Sequence, residues 1–174
     1  CQQCHRKGKH ATAVLVDQFF HGDQQQRKKR GYVLKVVEEN VEQLEAGKKL
    51  LEKKKTGRRY IAYFQANTNT YGPVDYLASI YRQALMEPDI AGISIATRPD
   101  CLGTEIMRLF ASLKQDFPDK FIWIELGLQT IHADTAAYIR RGYPLSTFEA
   151  AVKNLHARNL EVIVHTILGL PGES

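Results

Sequence analysis

The chain has 174 residues, 44% of them hydrophobic and 25% charged, with a net charge of +5. This balance fits one ordinary globular domain and excludes a disordered, collagen-like or disulfide-stapled chain. No apolar run approaches the roughly 20 residues of a membrane-spanning helix, and no secretory pattern opens the sequence, so a cytoplasmic protein with no membrane partner is expected.

Residues 1–31 carry the sparsest pattern. Cys1 and Cys4 form a CxxC pair, a spacing shared by redox pairs, half-sites for zinc and parts of iron–sulfur ligand sets. Three cysteines in all, with no secretory context, argue against a disulfide framework. Thr12–Phe20 reads as a short strand or helix. Arg27-Lys28-Lys29-Arg30 is a basic run, which favours a solvated surface over nucleic-acid contact. Residues 1–60 hold 15 Lys+Arg against 7 Asp+Glu. Much of that charge belongs to a helix expected from Val33 to about Lys55, with glutamates in its first half and lysines in its second, as the helix dipole favours.

From Tyr60 a regular alternation begins. Strands are expected at Tyr60–Ala66, Ala91–Thr97, Phe121–Gln129 and Glu161–Leu168. Helices are expected at Val74–Met86, Thr104–Lys114, Asp134–Arg141 and Ser146–Arg158. Thr104 stands where an N-cap would be, and Ser146 with Glu149 has capping-box spacing. Repeated strand–helix–strand units predict a parallel sheet with right-handed crossovers, either part of a (βα) barrel or an open doubly wound sheet. Neither GxGxxG after the first strand nor GxxxxGK[ST] is present, which disfavours dinucleotide and P-loop sites. Cys1 in first position and the loop-like Gly169–Ser174 lead to the expectation of truncation at both ends.

Sites in parallel α/β folds lie at the carboxyl ends of strands. Here those ends carry Gln65 and Asn67, then Ser94 and Arg98, then Glu125 and Gln129, then His165. Strand parity puts Gln65 with Asn67, Ser94 with Arg98, and Glu125 with Gly127 and Gln129. Such an inventory suits a polar ligand bearing carboxylate, amine and ribose groups, with Arg98 or Arg141 for the carboxylate. Several of these residues also have a plainer reading. Residues 67–70 serve as turn formers, Arg98 pairs locally with Asp100, and His165 is a satisfied core histidine. Glu125 resists such a reading, because a carboxylate within an aliphatic strand needs a partner.

Four stretches, Ile61–Pro73, Ser94–Leu102, Trp123–His132 and His165–Glu173, together resemble the radical S-adenosylmethionine (SAM) superfamily. The likeness is strongest to a bacterial branch similar to the Elp3-like proteins, and more distant to oxygen-independent coproporphyrinogen dehydrogenase. It runs from about Gln43 to the end, so residues 1–42 are expected as a poorly matched segment with the CxxC pair, and 43–174 as a partial radical SAM barrel core. The resemblance implies a partial (βα) TIM-like barrel with parallel strands. It implies a [4Fe–4S] cluster with Cys1 and Cys4 among its ligands, and SAM held by Gln65, Asn67, Arg98, Glu125, Gln129, Arg141 and His165. His165 stands where the coproporphyrinogen enzyme has an acidic SAM contact. An aromatic residue is usual between the CxxC cysteines, where this chain has Gln2 and Gln3. The implied function is a radical SAM enzyme that generates a 5′-deoxyadenosyl radical for hydrogen abstraction. Implied partners are SAM, an electron donor such as flavodoxin or ferredoxin, and, through the Elp3 likeness, an RNA substrate. The alternatives are a non-catalytic RNA-binding or degenerate barrel module and a zinc-dependent hydrolase.

Overall fold

A computed structural model describes residues 11–16, 41–50, 59–65 and 67–173. Cys1, Cys4 and the basic run Arg27–Arg30 lie outside them, as do residues 33–40 and 51–55 of the expected long helix.

Five parallel strands form one sheet in sequential order: β1 (Ala11–Val16), β2 (Arg59–Phe64), β3 (Ile90–Thr97), β4 (Phe121–Gln129) and β5 (Glu161–Thr166). Residues 41–50 form helix α1. Helices α2 (Val74–Met86), α3 (Thr104–Asp116), α4 (Ala133–Tyr138) and α5 (Leu145–His156) fill the later crossovers. The expected α/β alternation is present, and β1 adds a strand from within residues 1–42 to the same sheet as the rest. Of the two readings open for Thr12–Phe20, the strand is the one formed as far as Val16, and residues 17–20 lie outside the described residues.

The outer layer follows from periodicity. Leu77, Ile80, Tyr81, Ala84 and Leu85 repeat at helical spacing on α2 and are buried. Ile106, Leu109, Phe110 and Leu113 do the same on α3. These faces pack on the aliphatic side of the sheet, where Ile93, Ile95, Ile122, Ile124 and Leu126 point. Helix α1 is fastened by Lys48, a buried ammonium 2.8 Å from Glu45 and 3.3 Å from Glu87 at the end of α2. Part of the basic charge is thus structural.

The inner face differs along its length. At the amino ends of the strands Ile61, Ala91, Phe121 and Trp123 make a separate apolar cluster. The Phe121 and Trp123 rings stack with centroids 4.3 Å apart. This cluster closes the floor. Above it, toward the carboxyl ends, the same face of β4 presents Glu125, Gly127 and Gln129. β4 lies between β3 and β5 rather than at an edge, so its polar inner face is not an edge strand's wet side.

Helix ends depart from expectation in three places. α5 starts at Leu145 with Pro144 at the N-cap, one residue before Ser146, so the Ser146–Glu149 capping box does not form. α3 is capped by Gly103, and Thr104 is its first helical residue without a side-chain cap bond. α4 stops at Tyr138 instead of reaching Arg141, because Arg140 turns left-handed (φ 53°) and the Arg141 amide bonds back to the Ala136 carbonyl at 2.9 Å. That is a Schellman-type ending, and it reverses the chain.

Candidate functional site

A cavity of about 400 Å³ opens at the carboxyl ends of β2 to β5. That volume suits a small polar molecule. Gln65, Asn67, Arg98, Glu125, Gln129 and His165 all line it. Tyr63, Thr97, Gly127, Tyr143, Thr166 and Ile167 complete much of the wall.

Glu125 is the convergence point. It is buried on β4 at 7% exposure. Tyr63 on β2 donates its hydroxyl to Glu125 Oε2 at 2.9 Å, and Ser94 on β3 donates to Oε1. His165 on β5 places Nε2 2.6 Å from Oε2. Tyr63 and Ser94 are register partners across β2 and β3, which brings both hydroxyls to one carboxylate. One carboxylate therefore ties three other strands to β4, and the desolvation cost of burying it is offset by these three contacts. Burial first, then the neighbouring carboxylate, pushes the Tyr63 phenol up to about 12, so it remains a donor at neutral pH.

Two strand exits take strained backbone. Asn67 after β2 has φ 63° and Gln129 at the end of β4 has φ 64°. Left-handed non-glycine residues cluster at functional sites, where surrounding structure holds them in place. The neighbouring loop is held from within. Asn69 donates to the carbonyls of Phe64 and Ala96, both at 2.9 Å, and Thr70 bonds Thr97 at 2.5 Å. The turn-forming reading of residues 67–70 thus describes Asn69 and Thr70, which are buried, while Asn67 and Thr68 face the cavity. At Gly127 an added Cβ would lie 2.5 Å from Gln129 Nε2 and 3.3 Å from the Tyr143 hydroxyl. The missing side chain is what lets both lie over β4.

Arg98 has both the local and the cavity role. Its guanidinium forks onto Asp100 at 2.9 and 2.7 Å, which holds the Asp100 carboxyl below its usual range. It also stands 5.3 Å from the Tyr143 ring centroid on the cavity wall. Arg141 is placed differently. It is buried, and its guanidinium donates to the carbonyls of Leu128 at 3.0 Å, Thr130 at 2.6 Å and Tyr143 at 3.1 Å. Its charge is spent on the β4–α4 and α4–α5 loops, and it does not line the cavity. Cys101 is the described free cysteine, with its thiol pushed up mainly by burial.

Sequence reading passed over Tyr63 and Tyr143. Tyr63 carries a usable signal, since it sits two residues before Gln65 and shares its face. Tyr143 carries none: it arrives through the reversed chain after α4 and bonds the Gly127 carbonyl at 2.5 Å.

The residues present fit SAM by the chemistry of their side chains. Amides and a guanidinium meet carboxylate and hydroxyl groups. The cluster's expected ligands lie outside the described residues, among which no group of three His, Cys, Asp or Glu is arranged to hold a metal. Among those residues no helix is long and apolar enough to cross a membrane.

Comparison with known proteins gives the same direction. An uncharacterized protein of Methanocaldococcus jannaschii is 41% identical over 123 residues, covering 71% of this chain and 38% of its own. YtqA of Bacillus subtilis is 43% identical over 122 residues, covering 70% and 37%. YhcC of Escherichia coli is 40% identical over 116 residues, covering 67% and 37%. The chain thus spans well under half the length of these relatives. Among solved structures, a Methanocaldococcus infernus Elp3 lacking its N-terminus has the same fold, with a TM-score of 0.68 at 18% identity. It matches 95% of this chain and 39% of that one. A profile of the Radical SAM superfamily matches residues 1–174. The parallel strands, the partial barrel and the matched profile make this chain a member of the Radical SAM superfamily.

Proposed function

We propose that the cavity over β2 to β5 binds SAM, and that the chain is the cofactor-binding part of a radical SAM enzyme. The reading is supported above all by the convergence of Tyr63, Ser94 and His165 on Glu125 beneath a polar, ligand-sized opening. In it, Arg98 faces a ligand carboxylate. The amides of Gln65, Asn67 and Gln129 exchange hydrogen bonds with amine and hydroxyl groups. Glu125 and His165 form the inner wall, and Arg141 supports the site by fixing the loops behind Gln129. Cys1 and Cys4 would be thiolate ligands of a [4Fe–4S] cluster. When bound, reduced cluster and SAM together supply a 5′-deoxyadenosyl radical that abstracts hydrogen from a substrate, with the electron coming from a flavodoxin- or ferredoxin-type donor. The protein's own task is to orient SAM and exclude water from the site.

The test uses the full-length protein, reconstituted anaerobically with iron and sulfide and then given SAM and dithionite. Formation of 5′-deoxyadenosine is expected. A protein that takes up zinc but assembles no cluster would contradict the reading.

A further inference from the structure

We propose that Glu125 is a positioning residue for His165. It holds the imidazole as the Nε2–H tautomer, so that Nδ1 faces a bound ligand as a hydrogen-bond acceptor for a hydroxyl or ammonium group. The inference deepens the reading of the cavity as a ligand site and rests on it for the ligand, though not for the pair.

The argument starts from the carboxylate. Glu125 Oε1 accepts from Ser94, and Oε2 accepts from Tyr63 at 2.9 Å. Both oxygens thus act as acceptors toward the hydroxyls. The 2.6 Å contact between Oε2 and His165 Nε2 then requires the proton to sit on Nε2. In a neutral imidazole the other nitrogen is left with a bare lone pair. Among the described residues Nδ1 has no hydrogen-bond partner. The His165 side chain is 51% exposed and lines the cavity, so that lone pair is accessible. The charged or titratable groups around it are Glu125 from β4, Tyr63 from β2, Arg98 after β3 and Tyr143 from the α4–α5 loop. None of the others approaches Nδ1 within hydrogen-bond distance. Fastening β5 to β4 uses Nε2 alone, so contact at Nδ1 is what a ligand role adds.

Nitrogen-15 labelling of histidine in the full-length protein reads the tautomer directly, with the His165 signals assigned by their loss in His165→Phe. Without ligand, Nε2 should be protonated and Nδ1 bare. Glu125→Gln offers an amide that can itself donate to Nε2, and should move the population toward Nδ1–H. Tyr63→Phe keeps the carboxylate and should leave Nε2–H in place, and the wild-type tautomer itself decides the matter where Glu125→Gln does not fold. An Nδ1–H tautomer or a doubly protonated ring in the wild type, or an unchanged Nε2–H tautomer in Glu125→Gln, would overturn the proposal. S-adenosylhomocysteine serves as the ligand probe. Its affinity should fall roughly tenfold in His165→Phe, the size of one lost hydrogen bond. Firm wild-type binding with no loss in that variant would overturn the acceptor role. The Nε2–H tautomer in a protein that binds no S-adenosylhomocysteine would instead reject the SAM reading and leave the pair standing.

Discussion

Glu125 shows what a single residue can disclose before any fold is known. A carboxylate in an otherwise aliphatic strand must find donors, and the strand period places it on the inner face with Gly127 and Gln129. The donors were less legible. Ser94 and Tyr63 both share the expected face, but the role of Tyr63 depends on its pairing with Ser94 across β2 and β3. That pairing is a register, which residue types do not specify. The Tyr63 phenol yields a pH prediction. Its ordinary value of 10.0 is raised to about 12 in the folded chain. Between those values the folded state keeps a proton that the unfolded state releases, so this contribution is complete below pH 10 and lost as pH rises through 12. Urea midpoints should fall more steeply over that window in the wild type than in Tyr63→Phe. Parallel curves would show that burial and Glu125 do not hold the phenol's proton.

At the scale of elements, alternation located the strands while the ends of helices escaped. Start signals at Thr104 and Ser146 competed with Gly103 and Pro144, and the latter pair stand at the N-caps. Arg141 fell outside the cavity for a related reason. Nothing in residue type announced that Arg140 would take a left-handed conformation and turn the chain back. Arg141→Lys should therefore destabilise the protein by about 1.5–3 kcal/mol, since an ammonium cannot reproduce a fork bonded to three carbonyls. Denaturant unfolding would measure this, and a loss under 0.5 kcal/mol would be too small for that buried role. The two strand glycines should separate packing from function. A Cβ at Gly92 would overlap the Phe121 carbonyl oxygen and ring on the adjacent strand. Gly92→Ala should cost about 1–3 kcal/mol or abolish folding. At Gly127 the nearest obstacle is the movable end of Gln129. Gly127→Ala should leave the unfolding midpoint nearly unchanged and weaken S-adenosylhomocysteine binding. Equal stability losses in both variants would contradict this division.

The whole molecule is a wall of five parallel strands with a closed apolar floor and an open polar top. Its architecture was the most legible level, because strand–helix repetition with the stated handedness leaves few arrangements. The site was legible as a set of residues at strand ends and much less so as a set of contacts. Gln65, Asn67, Arg98, Glu125, Gln129 and His165 share one cavity because parity and strand direction bring them there. Tyr143 joins them only through a loop whose path is decided by buried Arg141. The central claim is that this cavity holds the nucleoside cofactor. A crystal structure of the full-length protein with S-adenosylhomocysteine tests it most directly. The account predicts the ligand over the carboxyl ends of β2 to β5, within hydrogen-bond distance of Gln129 and His165. A ligand bound elsewhere, with the Glu125 cavity empty, would contradict it.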